Sequence, residues 1–366
     1  MTNTPHQEDR TLSILEPPGT LAEEPTVTLV VAMRNEAANV ERCVASILAQ
    51  DYPSDKLEVW VLDGGSSDGS LELARSLVGD RPGWHLGVNP RGIQAAAWNL
   101  GIQAATGDVV GILSGHAEIS PSYVREATRA LRRTRAEMVG GPVRAIGAGA
   151  VGRAVARAIS TPFGVGGASF RYLDREEVVD TVFMGVCSRD TYRRFPFDEE
   201  MVRNQDDELS YRLLDAGARI VCSPLIQSSY RSRTTIAGLW RQYVDYGRWK
   251  VRVIQKHPGQ VRPRHLIPAA LVVALASSAV WALLGSPGVV AFAALAGAYA
   301  FGVLVASGAA ARGLDVRSAA VLPLVYPVLH LGYGTGFILG LVRFRSGWAS
   351  GSLQRAVRSI VRRANS

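Results

Sequence analysis

Cysteine is scarce in this sequence, which holds three among 366 residues. Cys43, Cys187 and Cys222 are far apart, without the short spacing of a metal cluster or the density of a disulfide framework. We therefore expect small buried thiols in a reducing compartment. The N-terminus also lacks a basic start followed by an apolar core, so we expect no signal peptide and a mobile tail over residues 1–25.

Acidic residues are sparse after Asp215, whereas arginine and lysine dominate after Tyr230. The formal net charge of +8 and the pI near 9.7 therefore come largely from the second half of the chain. No RNA- or DNA-binding motif accompanies these basic residues, so we expect no nucleic-acid partner. A basic segment beside long apolar runs favours contact with anionic membrane lipids instead.

Three apolar segments, at residues 266–284, 289–306 and 319–342, are each near the ~20 residues that cross ~30 Å of hydrocarbon. They predict a membrane region over residues 266–345 of two or three helices, followed by a basic tail over residues 346–366. The flanking arginines put the N-terminal domain on the cytosolic side of the membrane. Pro323, Pro327 and nearby glycines leave two alternatives for the third segment, a full span or a re-entrant hairpin.

The first half of the chain alternates strand-like and helix-like segments. Residues 27–33 (VTLVVAM) and 57–62 (LEVWVL) have the continuous apolar character of buried parallel strands. Helical patterns follow at residues 38–49 and 70–77. This order predicts an α/β domain over residues 26–230, with a Rossmann-like, mixed but mostly parallel sheet and ligands at the carboxyl ends of its strands.

Polar residues follow the first two predicted strands. Asn35 and Glu36 come directly after the first strand, and Asp63, Ser66 and Asp68 come at the end of the second. The topology rule places them in one crevice. Asp63 is able to accept hydrogen bonds from a base or ribose, and the alternative is an ordinary Asx turn.

A third predicted strand, VVGIL, delivers Ser114 and His116, in a turn where a nucleotide-bound divalent cation would be held. Oxygen ligands suit Mg²⁺ or Mn²⁺, and manganese accepts imidazole. Arg91 faces the same region, either to contact a diphosphate or as a solvated charge. The glycine-rich loop at residues 162–167 lacks the lysine of a P-loop, and we interpret it as a flexible acceptor-side loop ahead of Asp180.

The acidic stretch MVRNQDDELSYR opens a predicted helix, whose dipole by itself tolerates negative charge at this end. With the polar strand ends upstream, it indicates an active site in which one carboxylate removes a proton from an acceptor hydroxyl. Residues 231–265 are aromatic and basic, with Trp240, Tyr243, Tyr246 and Trp249 at helical spacing. They predict an amphipathic helix at the membrane interface, the alternative being rings that pack on the soluble domain.

Taken in order, these segments resemble family-two glycosyltransferases with the A-type nucleotide-sugar fold, in the branch of the succinoglycan-biosynthesis glucosyltransferase. The matching segments are VVAMRNEAANVERCVASILAQDYP, VLDGGSSDGS, VGGPV, PFGVGG, DTVFMG, VRNQDDELSYRL and RQYVDYGRWK. The resemblance implies inverting transfer of a hexose from a nucleotide diphosphate sugar to a polyprenyl-linked or growing polysaccharide. It also implies a multi-pass protein of the plasma membrane with a cytosolic catalytic domain and polysaccharide-assembly partners.

The resemblance also implies residue roles. Asp206 becomes the catalytic base, with Gln205 in place of the usual glutamate. The donor side comprises Asn35, Glu36, Asp63, Ser66, Asp68, Arg91 and Arg248. The acceptor side comprises Asp180, Gln205, Asp207, Glu208, Gln242 and Trp249.

The metal turn departs from the family pattern. The family has Asp-X-Asp, or Asp-Ala-His in this branch, where this chain has Ser114-Gly115-His116. His116 is left as the candidate ligand of Mg²⁺ or Mn²⁺. The substitution motivates an alternative, a catalytically degenerate membrane scaffold or donor-binding partner. A processive synthase with its own channel ranks last, because three membrane segments are too few.

Overall fold

The computed structural model describes residues 21–166 and 173–348. The start of the predicted N-terminal tail, Gly167 of the glycine-rich loop and most of the predicted basic tail lie outside these residues. Within them the strands are β1 (Val27–Met33), β2 (Leu57–Asp63), β3 (Trp84–Val88), β4 (Val109–Ser114), β5 (Ala117–Ile119), β6 (Met138–Gly140), β7 (Val143–Ile146), β8 (Glu177–Val178), β9 (Val186–Ser188), β10 (Ile220–Cys222) and β11 (Ser228–Arg231).

Eight short helices belong to the α/β half of the described chain. They are α1 (Val40–Leu48), α2 (Ser70–Val78), α3 (Gln94–Ala104), α4 (Tyr123–Thr134), α5 (Gly149–Ala158), α6 (Pro162–Val165), α7 (Arg189–Arg194) and α8 (Gln205–Asp215). Four longer helices complete the described chain. They are α9 (Ile236–Lys256), α10 (Pro263–Ala282), α11 (Ser286–Ala310) and α12 (Val316–Arg343).

The main sheet has the strand order β3-β2-β1-β4-β9-β6-β10-β8. Strands β3, β2, β1 and β4 are parallel, whereas β9 is antiparallel to both of its neighbours. Every residue of β1 and β4 is buried, because helices cover both faces of a central parallel strand. The predicted mixed, mostly parallel α/β fold is thus confirmed.

A second, smaller sheet lies beside the first, in the order β5-β11-β7. Its strand β5 begins three residues after β4 ends, so one edge of this sheet adjoins the turn that carries His116. The sequence analysis did not identify β3, whose residues WHLGV are only partly buried. An edge strand of this composition lacks the β-branched run that marked β1 and β2.

Glycines allow α9 and α12 to pack closely. A Cβ atom on Gly336 would lie 2.0 Å from the carbonyl oxygen of Val244, and one on Gly247 would lie 2.0 Å from that of Tyr333. Gly340 also faces the backbone of α9. Small residues on facing surfaces are what lets two helix backbones approach to this distance.

Both ends of α12 are held by hydrogen bonds to other helices of the described chain. Near its start, Arg153 of α5 donates a hydrogen bond to Asp315 at 3.0 Å. Just beyond its end, the carbonyl oxygen of Phe344 accepts a hydrogen bond from Gln255 of α9 at 2.6 Å. The third apolar segment is one continuous helix that runs along α9, and not a broken hairpin.

Helices α10, α11 and α12 are each long and apolar enough to cross a membrane. The apolar stretches of α10 and α11 are only 6% buried, whereas that of α12 is 50% buried. Few residues of α10 and α11 are therefore buried by the rest of the protein, whereas about half of those in the apolar stretch of α12 are. Three of the four predicted interface rings also pack on the protein. Tyr243 lies in the core between α5 and α12, Tyr246 packs against the same core, and Trp249 lies against Phe344.

The packing of α12 on α9 predicts different outcomes at two glycines. Gly336→Ala places a methyl group against the Val244 carbonyl oxygen and should lower the free energy of unfolding by about 1–3 kcal/mol, as overpacking does. Gly308→Ala, on α11, enters open space and should leave it unchanged or raise it. Thermal unfolding of the detergent-solubilised chain compares them, and equal shifts for both variants would contradict close packing at Gly336.

Candidate active site

The loops after β1 and β2 are held together by hydrogen bonds between their polar residues. The backbone N–H of Asn35 donates to the Ser66 hydroxyl at 2.8 Å, and that of Ser67 donates to the Asn35 side chain at 2.9 Å. The backbone N–H of Ala37 donates to Asp68 at 3.1 Å. The structure thus brings the predicted donor-side residues of both loops to one edge of the sheet.

Asp63 lies at the end of β2 with 1% of its surface exposed. Its carboxylate accepts hydrogen bonds from the backbone N–H groups of Gly65 and Ser66, at 2.9 and 3.0 Å, and from the Ser66 hydroxyl at 2.5 Å. The Asx turn considered from the sequence is therefore present. Asp63 shapes the loop that faces the crevice.

Glu36 joins the end of β1 to the turn after β4. Its carboxylate lies 2.8 Å from Nδ1 of His116, and its backbone N–H donates to the Ser70 hydroxyl at 2.7 Å. A Cβ atom on Gly115 would lie 2.7 Å from that of Met33, so this turn requires glycine to pack against β1. His116 is fixed by an acidic partner and remains partly exposed.

The residues of this turn do not form a cation site by themselves. Ser114 is buried, and its hydroxyl accepts a hydrogen bond from Gln94 at 2.7 Å. One nitrogen of His116 is already paired with Glu36. Across residues 21–166 and 173–348, no three His, Cys, Asp or Glu side chains group in a way that could hold a metal ion. The expected Mg²⁺ or Mn²⁺ ligand set at His116 is thus absent from the described chain.

A neutral hydrogen-bonded path connects this turn to the start of α8. The Gln205 side-chain amide donates to Gln94 at 2.6 Å, and Gln94 in turn donates to Ser114. Gln205 and Ser114 are the two positions at which this chain departs from the family pattern in its sequence. Because they are bridged, the first turn of α8, which carries Asp206, lies at the carboxyl edge of the sheet.

Asp206 is partly exposed at this N-terminal turn. Burial, followed by the neighbouring charge of Asp207, raises the pKa of Asp206 to about 6. The preceding Asn204 has a left-handed backbone, and its side chain donates to the carbonyl oxygen of Tyr246 on α9 at 3.1 Å. Asp206 is therefore held at a fixed helix start, and its pKa lies above the usual range of an aspartate carboxyl.

Lys250 of α9 is the cation that the structure brings to the start of α8. It is buried and forms an ion pair with Asp207. Burial alone would lower the pKa of Lys250, but the charge of Asp207 outweighs it and raises the pKa. Lys250 is not among the residues predicted from the sequence. What could have indicated it is its position one turn after Tyr246, on a face of α9 whose other residues pack against the protein.

Two predicted acceptor-side carboxylates have structural partners. Glu208 is 2% exposed and accepts hydrogen bonds from Arg212 at 2.8 Å and from His257 at 3.1 Å. Asp180 accepts one from Arg264 at 2.6 Å, which connects it to the start of α10. Glu208 thus braces α8 against the end of α9, and Asp180 anchors the first long apolar helix.

Of the predicted residues of α9, Gln242 and Trp249 lie two turns apart on one face of the helix, and Arg248 lies on another. Gln242 donates to the Tyr246 hydroxyl at 2.9 Å, on the side facing Asn204. Arg248 lies about 120° away around the helix axis and pairs with Asp245 at 3.6 Å. Trp249 packs against Phe344, with ring centroids 5.4 Å apart.

Arg91, a further predicted donor-side residue, is also paired. It lies in the connection between β3 and α3, and its guanidinium contacts Glu199. The other oxygen of Glu199 accepts a hydrogen bond from Asn99 at 2.8 Å. Arg91 is therefore near the crevice but has a carboxylate partner there.

Comparison with known proteins shows which family the domain belongs to. The profile of glycosyl transferase family 2 matches residues 28–199. The succinoglycan biosynthesis protein ExoA of Rhizobium meliloti is 28% identical over 87% of this chain and 95% of its own length. The dolichyl N-acetyl-alpha-D-glucosaminyl phosphate 3-beta-D-2,3-diacetamido-2,3-dideoxy-beta-D-glucuronosyltransferase of Methanococcus voltae is 26% identical over 63% of this chain and 74% of its own.

A solved structure shares the fold. It is a mannosyltransferase of Pyrobaculum calidifontis in complex with GDP-Man and Mn²⁺, with a TM-score of 0.52, 19% identity, and coverage of 88% of this chain and 90% of that one. The match extends through the helices that follow the sheet. Residues 28–199 are therefore a glycosyl transferase family 2 domain with the A-type fold, and the chain is a glycosyltransferase.

Proposed function

We propose that this enzyme transfers a hexose, with inversion, from a nucleotide diphosphate sugar to a hydroxyl of a polyprenyl-linked or growing polysaccharide. The observation that carries the proposal is the path from Gln205 through Gln94 to Ser114, which holds Asp206 at the nucleotide-facing edge of the sheet. The names of the two relatives, one for succinoglycan and one for a dolichyl phosphate glycan, support this acceptor class.

In this mechanism Asp206 acts as the general base. Its carboxylate takes the proton of the acceptor hydroxyl while the oxygen attacks the anomeric carbon from the face opposite the diphosphate. The bond to the diphosphate breaks, and the nucleotide diphosphate leaves with the electron pair. A base with a pKa of about 6 is largely ionised at neutral pH and still accepts a proton readily.

The donor would lie against the loops that carry Asn35, Glu36, Asp63, Ser66 and Asp68. The two arginines proposed for the diphosphate, Arg91 and Arg248, have carboxylate partners in this structure. To bind the diphosphate, either arginine would have to release its carboxylate partner and contact a phosphate group instead. On the acceptor side Lys250 is a positioning residue, because it fixes Asp207 and thereby the charge beside Asp206.

We also propose a topology for the membrane region. Helices α10 and α11 cross the plasma membrane as a hairpin, since few of their residues are buried by the protein, whereas α12 stays on the cytosolic side along α9. Contacts of Asp315 and Phe344 at the two ends of α12 support this, as does the excess of arginine beside these ends. Membrane lipids and other polysaccharide-assembly proteins would be the remaining partners.

Replacing the base tests the mechanism. Asp206→Asn should lower the transfer rate about 10²–10⁴-fold, because general-base help is worth that much. Donor binding, measured by calorimetry with nucleotide sugars, should stay close to that of the unmodified chain. Transfer is followed by mass analysis of lipid-linked products from purified membranes, and undiminished turnover would remove Asp206 from the mechanism.

The charges around Asp206 predict opposite shifts of the pH–rate profile. Transfer should increase as the pH rises through about 6, because the base acts only when ionised. Lys250→Met removes a cation that lowers the pKa of Asp206, so the midpoint should move to higher pH. Asp207→Asn removes an anion that raises the pKa of Asp206, so the midpoint should move to lower pH.

Lys256→Met is the matched control for these profiles. This lysine lies on the same helix and pairs with Asp198 and Glu200. Lys256→Met should change the free energy of unfolding without moving the midpoint of the pH–rate profile. A midpoint that shifts in the same direction for Lys250→Met and Asp207→Asn would show that packing, and not charge, is responsible.

The composition of the turn after β4 predicts weak affinity for a free cation. Mn²⁺ alone should show no saturable binding to the full chain in calorimetry, because Ser114 and the Glu36-paired His116 offer too few ligands. Ser114→Asp adds a carboxylate beside His116 and should create measurable binding. Tight binding of Mn²⁺ by the unmodified chain would contradict this account of the turn.

A further inference from the structure

A cavity of about 620 Å³ lies between α5, α6 and the adjoining ends of α11 and α12. It is separate from the crevice at the carboxyl ends of the strands. Its wall on α11 is made of small apolar side chains, Ala306, Ala309 and Ala310, with Phe163 of α6 and Tyr326 of α12 opposite. The volume is in the range of small-molecule sites in proteins, and the apolar wall is formed in part by a helix proposed to cross the membrane.

A guanidinium group without a partner lines this cavity. Arg157 of α5 is partly buried, and within the described ranges its side chain has no hydrogen-bond or ion-pair partner. It reaches the connection between α11 and α12, where a Cβ atom on Gly313 would lie 3.6 Å from its Nη2 atom. A partly desolvated cation of this kind is stabilised by an anion.

The second cation of the cavity has a different role. Arg153, one turn earlier on α5, donates hydrogen bonds to Asp315 and to the Ser318 hydroxyl, both at 3.0 Å. This contact fixes the start of α12 on α5 and forms part of the cavity wall. Arg157 is thus held at a fixed place beside the apolar wall, and its charge remains available for a ligand.

The cavity is connected to the active site through the smaller sheet. Ala145 of β7 lines the cavity and is the register partner of Tyr230 on β11. The Tyr230 ring lies 6.5 Å from the His116 ring, centroid to centroid. Since adjacent strands are ~4.8 Å apart, β7 lies about 10 Å from β5, the strand that follows His116. That separation is about what one or two sugar units would bridge.

We infer that this cavity binds the lipid phosphate of the acceptor, with Arg157 on the phosphate and the first isoprene units of a polyprenyl chain along Ala306, Ala309 and Phe163. The inference rests on the proposed acceptor class and goes beyond it by assigning the place where the carrier is held. A phosphate at the Arg157 end and a hydrocarbon chain toward α11 match the charge and the apolar wall of the cavity.

The test is native mass spectrometry of the full chain with a long-chain polyprenyl monophosphate. Arg157→Gln and Ala309→Leu should each weaken binding at least about tenfold, the first by removing a charge-assisted contact and the second by filling the cavity. Arg312→Gln removes an arginine from the same connection without touching the cavity, and Ala294→Leu enlarges an exposed residue elsewhere on α11. Both controls should bind as the unmodified chain does.

Other ligands distinguish the sources of the phosphate and of the chain. The unphosphorylated polyprenol, inorganic phosphate and phosphatidylglycerol should each bind more weakly than the polyprenyl phosphate. Binding of the unphosphorylated polyprenol should not depend on Arg157, because it carries no phosphate. Equal binding of phosphatidylglycerol and the polyprenyl phosphate, or equal loss in Arg157→Gln and Arg312→Gln, would overturn the inference in favour of bulk anionic lipid.

Kinetics separates the inference from the proposed function. Arg157→Gln should raise the KM for the lipid acceptor about tenfold with kcat and the KM for the donor little changed. Carrier binding that depends on Arg157 in a chain without transferase activity toward any lipid-linked acceptor would refute the proposed function and support the cavity. Transfer to a lipid-linked acceptor with an unchanged acceptor KM in Arg157→Gln would support the proposed function and refute carrier binding in the cavity.

Discussion

The ion pair between Lys250 and Asp207 connects α8, which carries the proposed base, to α9, the helix against which α12 packs. Removing one partner of a buried pair costs about 3–5 kcal/mol, since the other charge is left unpaired. Around this pair, Asn204 bonds to Tyr246 at one end, and Glu208 bonds to His257 at the other. The position of Asp206 therefore depends on the packing of α9, and through it on α12.

Neutral side chains join the carboxyl edge of the main sheet to the start of α8. Ser114 is the last residue of β4, Gln205 is the first residue of α8, and Gln94 bridges the two. Together the three side chains form a hydrogen-bonded path that keeps α8 against the sheet. The path contributes to the position of Asp206, the proposed general base, and carries no charge of its own.

The membrane region is built on the same α/β domain through close helix packing. Glycines on α12 and α9 bring the two backbones together, and Arg153 and Gln255 fix the two ends of α12. The hairpin of α10 and α11 then returns to the protein at the connection that Arg157 reaches. The proposed lipid-linked acceptor would in this way meet the enzyme at the membrane surface, beside β7 of the smaller sheet.

Local sequence patterns predicted β1, β2 and β4, the crevice at their carboxyl ends and the long apolar helices. These features follow from local periodicity and from the right-handed connections of an α/β sheet. Which polar side chains meet depends instead on tertiary packing. The pairing of charges depends on which helix faces pack together. The sequence therefore did not show that Glu208, Arg248 and Arg91 have charged partners, or that Lys250 lies beside Asp207. The position of α12 depends on tertiary packing for the same reason. Its composition allows a membrane span, whereas contacts at both of its ends hold it on the domain.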